Sequence, residues 1–162
     1  WKAGLDVAAY GRNIYILSPS TNQIYKYSRL RSNYANATEY NTDATLQNAI
    51  GIAIDGNVYV LQKGGEIIKL FKSKVQPFTI EDIATDLSEV TKIYTSIELD
   101  NLYLLDPANK QVIIIEKDRG GVARYVGQVV FEELPNVNDL YVDKGEANLY
   151  LLTDQKIYRV GL

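Results

Sequence analysis

Short apolar runs separated by polar punctuation recur down this chain at a nearly fixed interval. The clearest are Asn13-Ile14-Tyr15-Ile16-Leu17, Asn57-Val58-Tyr59-Val60-Leu61, Asn101-Leu102-Tyr103-Leu104-Leu105 and Asn148-Leu149-Tyr150-Leu151-Leu152, spaced by 44, 44 and 47 residues. Each run is apolar at every position after the Asn, not at every second one, and is rich in β-branched and aromatic residues. That pattern predicts a short strand buried on both faces. A constant period in this range marks an array of small sheets.

The segments around each run complete the unit. A further apolar run precedes it, at residues 6–10, 51–55, 93–97 and 140–143, and turn formers such as Gly11-Arg12, Asp55-Gly56 and Gly145-Glu146 separate the two. A third run follows a second turn, at 23–27, 66–70, 111–115 and 156–160. Those second turns hold Ser18-Pro19, Gly64-Gly65, Asp106-Pro107 and Thr153-Asp154. A more polar fourth strand is predicted at 38–40, 78–83 and 125–131, and the fourth copy stops before one. Four-stranded antiparallel units repeated in this way are the blades of a β-propeller. The reading is therefore an all-β chain, a β-propeller of about four blades whose last blade lacks its outermost strand. It forms one domain over 1–162, with blades near 4–47, 48–89, 90–136 and 137–162. A short helix over 79–93, capped by Thr79, is the weaker alternative for that stretch because it aligns with strand positions of the other copies.

The second copy carries a family resemblance. Gly51-Ile52-Ala53-Ile54-Asp55-Gly56-Asn57-Val58-Tyr59-Val60, followed by Gly64-Gly65-Glu66-Ile67-Ile68-Lys69-Leu70-Phe71, resembles an NHL repeat. That pattern runs Gly-Ile-Ala-Val-Asp, Gly-Asn-Val-Tyr-Val, then Asn-x-Arg-Ile-x-x-Phe; here Glu66 stands in place of its Arg. The other copies match at the Tyr-bearing strand. The resemblance implies the C-terminal blades of a larger propeller, since such rings close by letting an N-terminal segment supply the outermost strand of the last blade. Only residues 1–5 lie upstream of the first strand here. Bare apolar faces at either end are then expected, and two copies covering each other would make an eight-bladed ring. The rival is a four-bladed ring closed on itself, although rings of that kind usually carry a closing disulfide and this chain has no Cys.

Composition narrows the function classes. Cys, His and Met are absent, which removes thiol nucleophiles, thiolate metal sites, histidine ligands and the Ser-His-Asp arrangement. A net charge of −3 with singly scattered Lys and Arg gives no basic stripe, so nucleic acid is not the expected partner. The longest purely aliphatic stretch, 112–115, is far short of a membrane span. The chain begins with Trp1, so a missing leader carries no weight.

The candidate chemistry is modest. Tyr15, Tyr59, Tyr103 and Tyr150 read as packing wedges between blades, each hydroxyl reaching a backbone partner. The repeated Asn and the turn acids Asp55, Asp100 and Asp143 read as turn residues. No Asp-x-Asp-x-Asp-Gly calcium loop occurs. Thirteen Tyr against three Phe and one Trp favour recognition surfaces. Tyr25, Tyr27, Tyr34 and Tyr40 cluster around the polar stretch 32–48, which reads as a solvated outer strand and loop or a contact surface. Asn36-Ala37-Thr38 fits a glycosylation acceptor. Propeller ligands meet the axial loops, here offering Asn48, Thr91, Lys92 and Asn138: hydrogen bonding without catalytic power. The expectation is a non-catalytic binding or scaffold propeller with no cofactor, a sensor or interaction domain of a larger signalling or cell-surface protein. Its partner is a protein or peptide, or a glycan, outside the cell or in the periplasm. Two alternatives stand beside it. One is a half-propeller whose only role is to dimerise. The other is a lactonase or lyase resembling gluconolactonase-type propellers, with Asn48, Asn138 and Glu89 holding a divalent cation.

Overall fold

Each Asn-x-Tyr-x-Leu run is the second strand of a small antiparallel sheet. The computed structural model describes residues 3–117 and 120–162; Trp1 and Lys2, the start of the segment considered for ring closure, lie outside them. The first sheet holds β1 (Asp6–Tyr10), β2 (Asn13–Ser18), β3 (Gln23–Ser28) and β4 (Thr38–Glu39) in that order. The second holds β5 (Ala49–Ile54), β6 (Val58–Gln62), β7 (Ile67–Phe71) and β8 (Lys74–Gln76). In the third, β9 (Thr79–Glu81) lies at the outer edge of a meander of β10 (Lys92–Tyr94), β11 (Asn101–Asp106), β12 (Gln111–Glu116) and β13 (Val122–Val130). The fourth has only β14 (Val137–Val142), β15 (Asn148–Thr153) and β16 (Ile157–Gly161). The molecule is a four-blade β-propeller, and its first strands pack in succession, β1 on β5, β5 on β10 and β10 on β14. Between β14 and β1 there is no comparable packing.

The period-2 alternation of a strand assigns the motif's two faces. Tyr15 and Leu17 share a core with Ile52, Ile54, Val58 and Val60 of the second blade. Tyr59 and Leu61 meet Leu102 and Leu104 of the third, and Tyr103 and Leu105 meet Leu149 and Leu151 of the fourth. The Tyr-Leu pair therefore always faces the following blade, and the aliphatic pair receives the preceding one. Leu17, Leu61 and Leu105 have no exposed surface, whereas Leu152, which has no following blade, is 43% exposed. Full burial of each such Leu contributes about 1.5–3 kcal/mol.

The second blade departs from the sequence reading. Its fourth strand is β8, not residues 78–83, and β9 leaves that blade to pair in parallel with β13, Thr79 opposite Val122. The cause is a tight turn immediately after β7, where Lys72 and Ser73 both take positive φ, 48° and 73°. Turns of this kind are normally announced by Asn or Gly, so Lys-Ser concealed it. Pro77 then breaks the edge and Phe78 packs against the Tyr59 ring at 5.7 Å. No helix forms over 79–93.

The turn between β6 and β7 needs both of its glycines, for different reasons. Gly64 and Gly65 have φ of 94° and 89°, but a Cβ on Gly64 meets nothing within 4 Å while one on Gly65 falls 2.4 Å from the Leu87 carbonyl oxygen. Gly64→Ala is expected to cost about 1 kcal/mol of backbone strain and Gly65→Ala about 3 kcal/mol or more. Urea unfolding of the two variants checks this; equal midpoints would contradict the close approach.

Candidate functional site

The polar chemistry of the molecule gathers where consecutive blades meet, at the end carrying the turns between first and second strands. Asp55 follows β5 and aims its carboxylate at the next blade. Its Oδ1 accepts from the Asn57 backbone N–H at 2.9 Å and the Asn57 amide at 3.3 Å. Its Oδ2 accepts from the Tyr59 hydroxyl at 3.4 Å and pairs with Lys117 Nζ of the third blade at 3.0 Å. Lys117 also donates to Thr95 Oγ1 at 3.0 Å and to the Ser96 carbonyl at 3.2 Å. Both charged side chains are mostly buried, so this pair is little screened by salt.

The next junction uses another acid for the same task. Glu146, in the turn between β14 and β15, reaches back to the third blade. Its Oε1 accepts from Asn101 N–H at 3.0 Å, the Asn101 amide at 3.1 Å and the Tyr103 hydroxyl at 2.9 Å, and its Oε2 accepts from Asp100 N–H at 3.1 Å. The hydroxyls of Tyr59 and Tyr103 thus meet carboxylates, not the backbone partners expected from sequence. Asp143 accepts from Ala147 N–H, Asn148 N–H and the Asn148 amide at 3.0, 3.1 and 2.6 Å. These bonds to Asn148 hold its carboxyl below the usual aspartate range. Asp106 is engaged by Asn109 and by the buried amide of Gln111 at 2.9 Å.

A carboxylate offers about four acceptor positions. Asp55 takes two donors on each oxygen, and Glu146 takes three on Oε1 and one on Oε2, so both acids are committed to the junctions they close. The cleft of about 360 Å³ beside Asp55, lined also by Asn57, Tyr59, Lys69, Leu99, Asp100 and Lys117, is polar, and its Asp55 and Lys117 are paired with each other.

The axial residues lie at the opposite end of the blades, each tied within its own sheet. The Asn48 carbonyl accepts from Lys63 N–H at 2.8 Å, and Thr91 N–H donates to the Leu105 carbonyl at 2.8 Å. The Asn138 amide donates to Asp154 Oδ1 at 2.6 Å, beside Asn136, which donates to Oδ2 at 3.0 Å. Lys92 opens β10 opposite Leu105. None of the four hydrogen-bonds to another, and Glu89 lies on the exposed approach to β10.

Part of the polar stretch 32–48 is interior, not solvated. Gln23 Oε1 accepts from Asn41 N–H at 2.6 Å, Asn22 Oδ1 accepts from Leu46 N–H at 2.7 Å, and Ala44 and Leu46 are buried. Tyr40 packs edge-on to Tyr15 at 5.5 Å. The Gln opening the third strand recurs in the first and third copies, but Gln23 binds the Asn41 backbone while Gln111 donates to the Asp106 carboxylate. Nothing in the sequence announced Lys117 or Glu146 as partners across blades.

Apolar surface remains open on two faces only partly polar at their rims. On the fourth blade, Tyr141, Leu152 and Ile157 are 49%, 43% and 68% exposed and line a groove of about 560 Å³ with Asp139, Leu140, Asp143 and Tyr150. On the first blade, Leu5 and Val7 are 57% and 56% exposed.

Among known proteins, no family model matches the chain, and no curated protein matches it. Solved structures do match, by fold. The chain is similar to a component of the yeast heterotrimeric Nup82-Nup159-Nup116 nucleoporin complex, with a TM-score of 0.69 and 12% identity over 93% of this chain and 56% of that one. A chain of a nidogen/laminin complex gives 0.61 and 19%, covering 86% and 54%. A candidate 6-phosphogluconolactonase from Bacteroides fragilis gives 0.62 and 14%, covering 96% and 52%. The chain spans about half the length of these propellers.

The buried phenols make the junctions sensitive to alkali. Burial first, then the facing carboxylates, pushes the hydroxyls of Tyr59 and Tyr103 well above the usual range. Burial, with Tyr141 and Glu98 nearby, raises Tyr94 to about 12. A phenol raised in the folded state stabilises the fold fully below its unfolded value of about 10, and that contribution is lost as pH rises through the folded value. The urea midpoint is therefore expected to fall between about pH 10 and about pH 12, and the double variant Tyr59→Phe/Tyr103→Phe to flatten the fall. A wild-type midpoint constant across that window would contradict the assignment.

Proposed function

We propose that this chain is a non-catalytic binding and scaffold segment of an NHL-type propeller, an interaction or sensor domain of a larger signalling or cell-surface protein. The observation that carries this reading is the engagement of the junction acids: Asp55 and Glu146 each take four donors from neighbouring blades and turns. These two acids are thus committed to holding the blades, and the large surfaces left include an apolar groove suited to a polypeptide. Two of the similar structures are themselves multi-protein complexes, of nucleoporins and of nidogen with laminin. The repeat resemblance of the second blade supports the NHL type, and a location outside the cell or in the periplasm is part of the same proposal, by fold analogy. Asn48, Thr91, Lys92 and Asn138 are the proposed axial contacts for a peptide or glycan, offering amides, a hydroxyl and one amine. The half-propeller that only dimerises needs no such contacts and is the narrower version of the same reading.

The competing reading is a metal-dependent lactonase. Metal content by mass spectrometry and hydrolysis of a panel of lactones, 6-phosphogluconolactone among them, separate the two. Substoichiometric metal and no turnover above buffer are expected. Stoichiometric divalent metal with turnover that chelation abolishes would overturn the binding reading.

A further inference from the structure

We propose that the open faces of the fourth and first blades are the two sides of one junction, so that two copies of this chain join fourth blade to first at both ends into an eight-bladed body with a two-fold axis. This rests on the binding reading above in taking those faces as contact surfaces, and it names the partner as a second copy.

The blades already in contact provide the template. At three junctions the motif's Tyr and Leu face the following blade and the aliphatic pair receives the preceding one. Tyr150 and Leu152 hold the first of these positions with nothing opposite. Val7, 56% exposed, and the half-buried Ile14 lie on the face of the first blade that would receive them; Ile16, which pairs Val7 in register, is already covered by Gly4, and Ile14 corresponds to Val58 of the second.

Charge matches at equivalent positions as well. Asp55 and Asp143 occupy the same site, since each donates its backbone N–H to the carbonyl of the motif Asn and accepts that Asn's N–H on its own Oδ1. Lys117 and Arg29 likewise occupy one site, the residue after the third strand, each donating its N–H to the carbonyl just before the motif Asn, of Asp100 and Arg12. In the second-to-third junction these sites form the ion pair Asp55–Lys117. In a fourth-to-first junction they bring Asp143 to Arg29 of the other copy. Arg29 sits over the Tyr34 ring at 5.4 Å and has no carboxylate partner among the described residues. It shares a groove of about 370 Å³ with Ala9, Ile14, Arg12 and Arg31, so a basic rim faces the rim carrying Asp139 and Asp143. The chain covers about half the length of the propellers it resembles, 56% and 54% in two of them, so a second set of four blades would complete a body of comparable size.

Sedimentation equilibrium of the purified chain tests this. Twice the chain mass is expected at micromolar concentration. Leu152→Asp, on a partly exposed position, should weaken association roughly thirtyfold or more. Arg29→Glu should weaken it on the order of tenfold at low salt and less at high salt. Val75→Asp, on the equally exposed outer edge of the second blade, should leave it unchanged, with circular dichroism reporting the fold of each variant. A monomer at tens of micromolar would overturn the proposal. So would a dimer indifferent to both Leu152→Asp and Arg29→Glu. Neither result touches the binding reading, whose own test is the metal and lactone assay.

Discussion

Everything in this molecule follows from the need to bury both faces of very small sheets. A blade of four short strands cannot exclude water from either face alone, so each depends on a neighbour on both sides. The Tyr-x-Leu face of one blade pressed on the aliphatic face of the next is the contact that meets this need. It repeats because the constraint repeats. Gly51 lies where three blades meet: a Cβ there would be in ordinary contact with Ile93 Cγ2 at 3.4 Å and Asp6 Oδ2 at 3.6 Å.

This also explains what was legible in the sequence. A strand buried on both faces must be apolar at every position, and its partner strands must return to it by short turns, so β2, β6, β11 and β15 with the third strands after them were readable within a residue or two, while β10 and β14 were each displaced by three residues at one end. Features set by only one or two side chains were not. The positive-φ Lys72-Ser73 turn has no distinctive residue, and the excursion of β9 onto β13 depends on that turn having come early. The pairing of Lys117 with Asp55 spans 62 positions and obeys no local pattern. Of the four axial residues, Asn48 and Thr91 are loop positions as read, whereas Lys92 opens β10 and Asn138 lies in β14, where its amide meets Asp154, a side chain that sequence alone did not connect to it.

Polar groups are placed where the apolar wedge ends. Burying Tyr59 and Tyr103 between sheets strands two hydroxyls, and an unpaired buried hydroxyl costs about 1–3 kcal/mol. A carboxylate answers that need while also collecting the N–H groups exposed at a turn, so one acid closes a turn and a junction together. The same acid is thereby committed to the junction, and its loss would leave both the phenol and the turn N–H groups unpaired.

The wedge by itself carries little information about order. Any Tyr-Leu pair fits any aliphatic pair of similar size, so apolar packing would tolerate blades in a shuffled sequence. The polar closures differ from junction to junction, and they restore the order. Between the first and second blades Asp6 Oδ2 accepts from Ile52 N–H at 2.9 Å; between the second and third it is Asp55 with Lys117; between the third and fourth it is Glu146 with Asn101 and Tyr103. A face presenting Tyr150, Leu152 and Asp143 is therefore selective for a blade with a cation after its third strand. Among the four blades, the second places Lys72 there, stacked on Phe71 at 5.2 Å, the third places Lys117 and the fourth Leu162. Lys117 is already paired at a formed junction and Lys72 lies exposed on the ring of its own blade's Phe71, whereas Arg29 stands on the blade whose face is open.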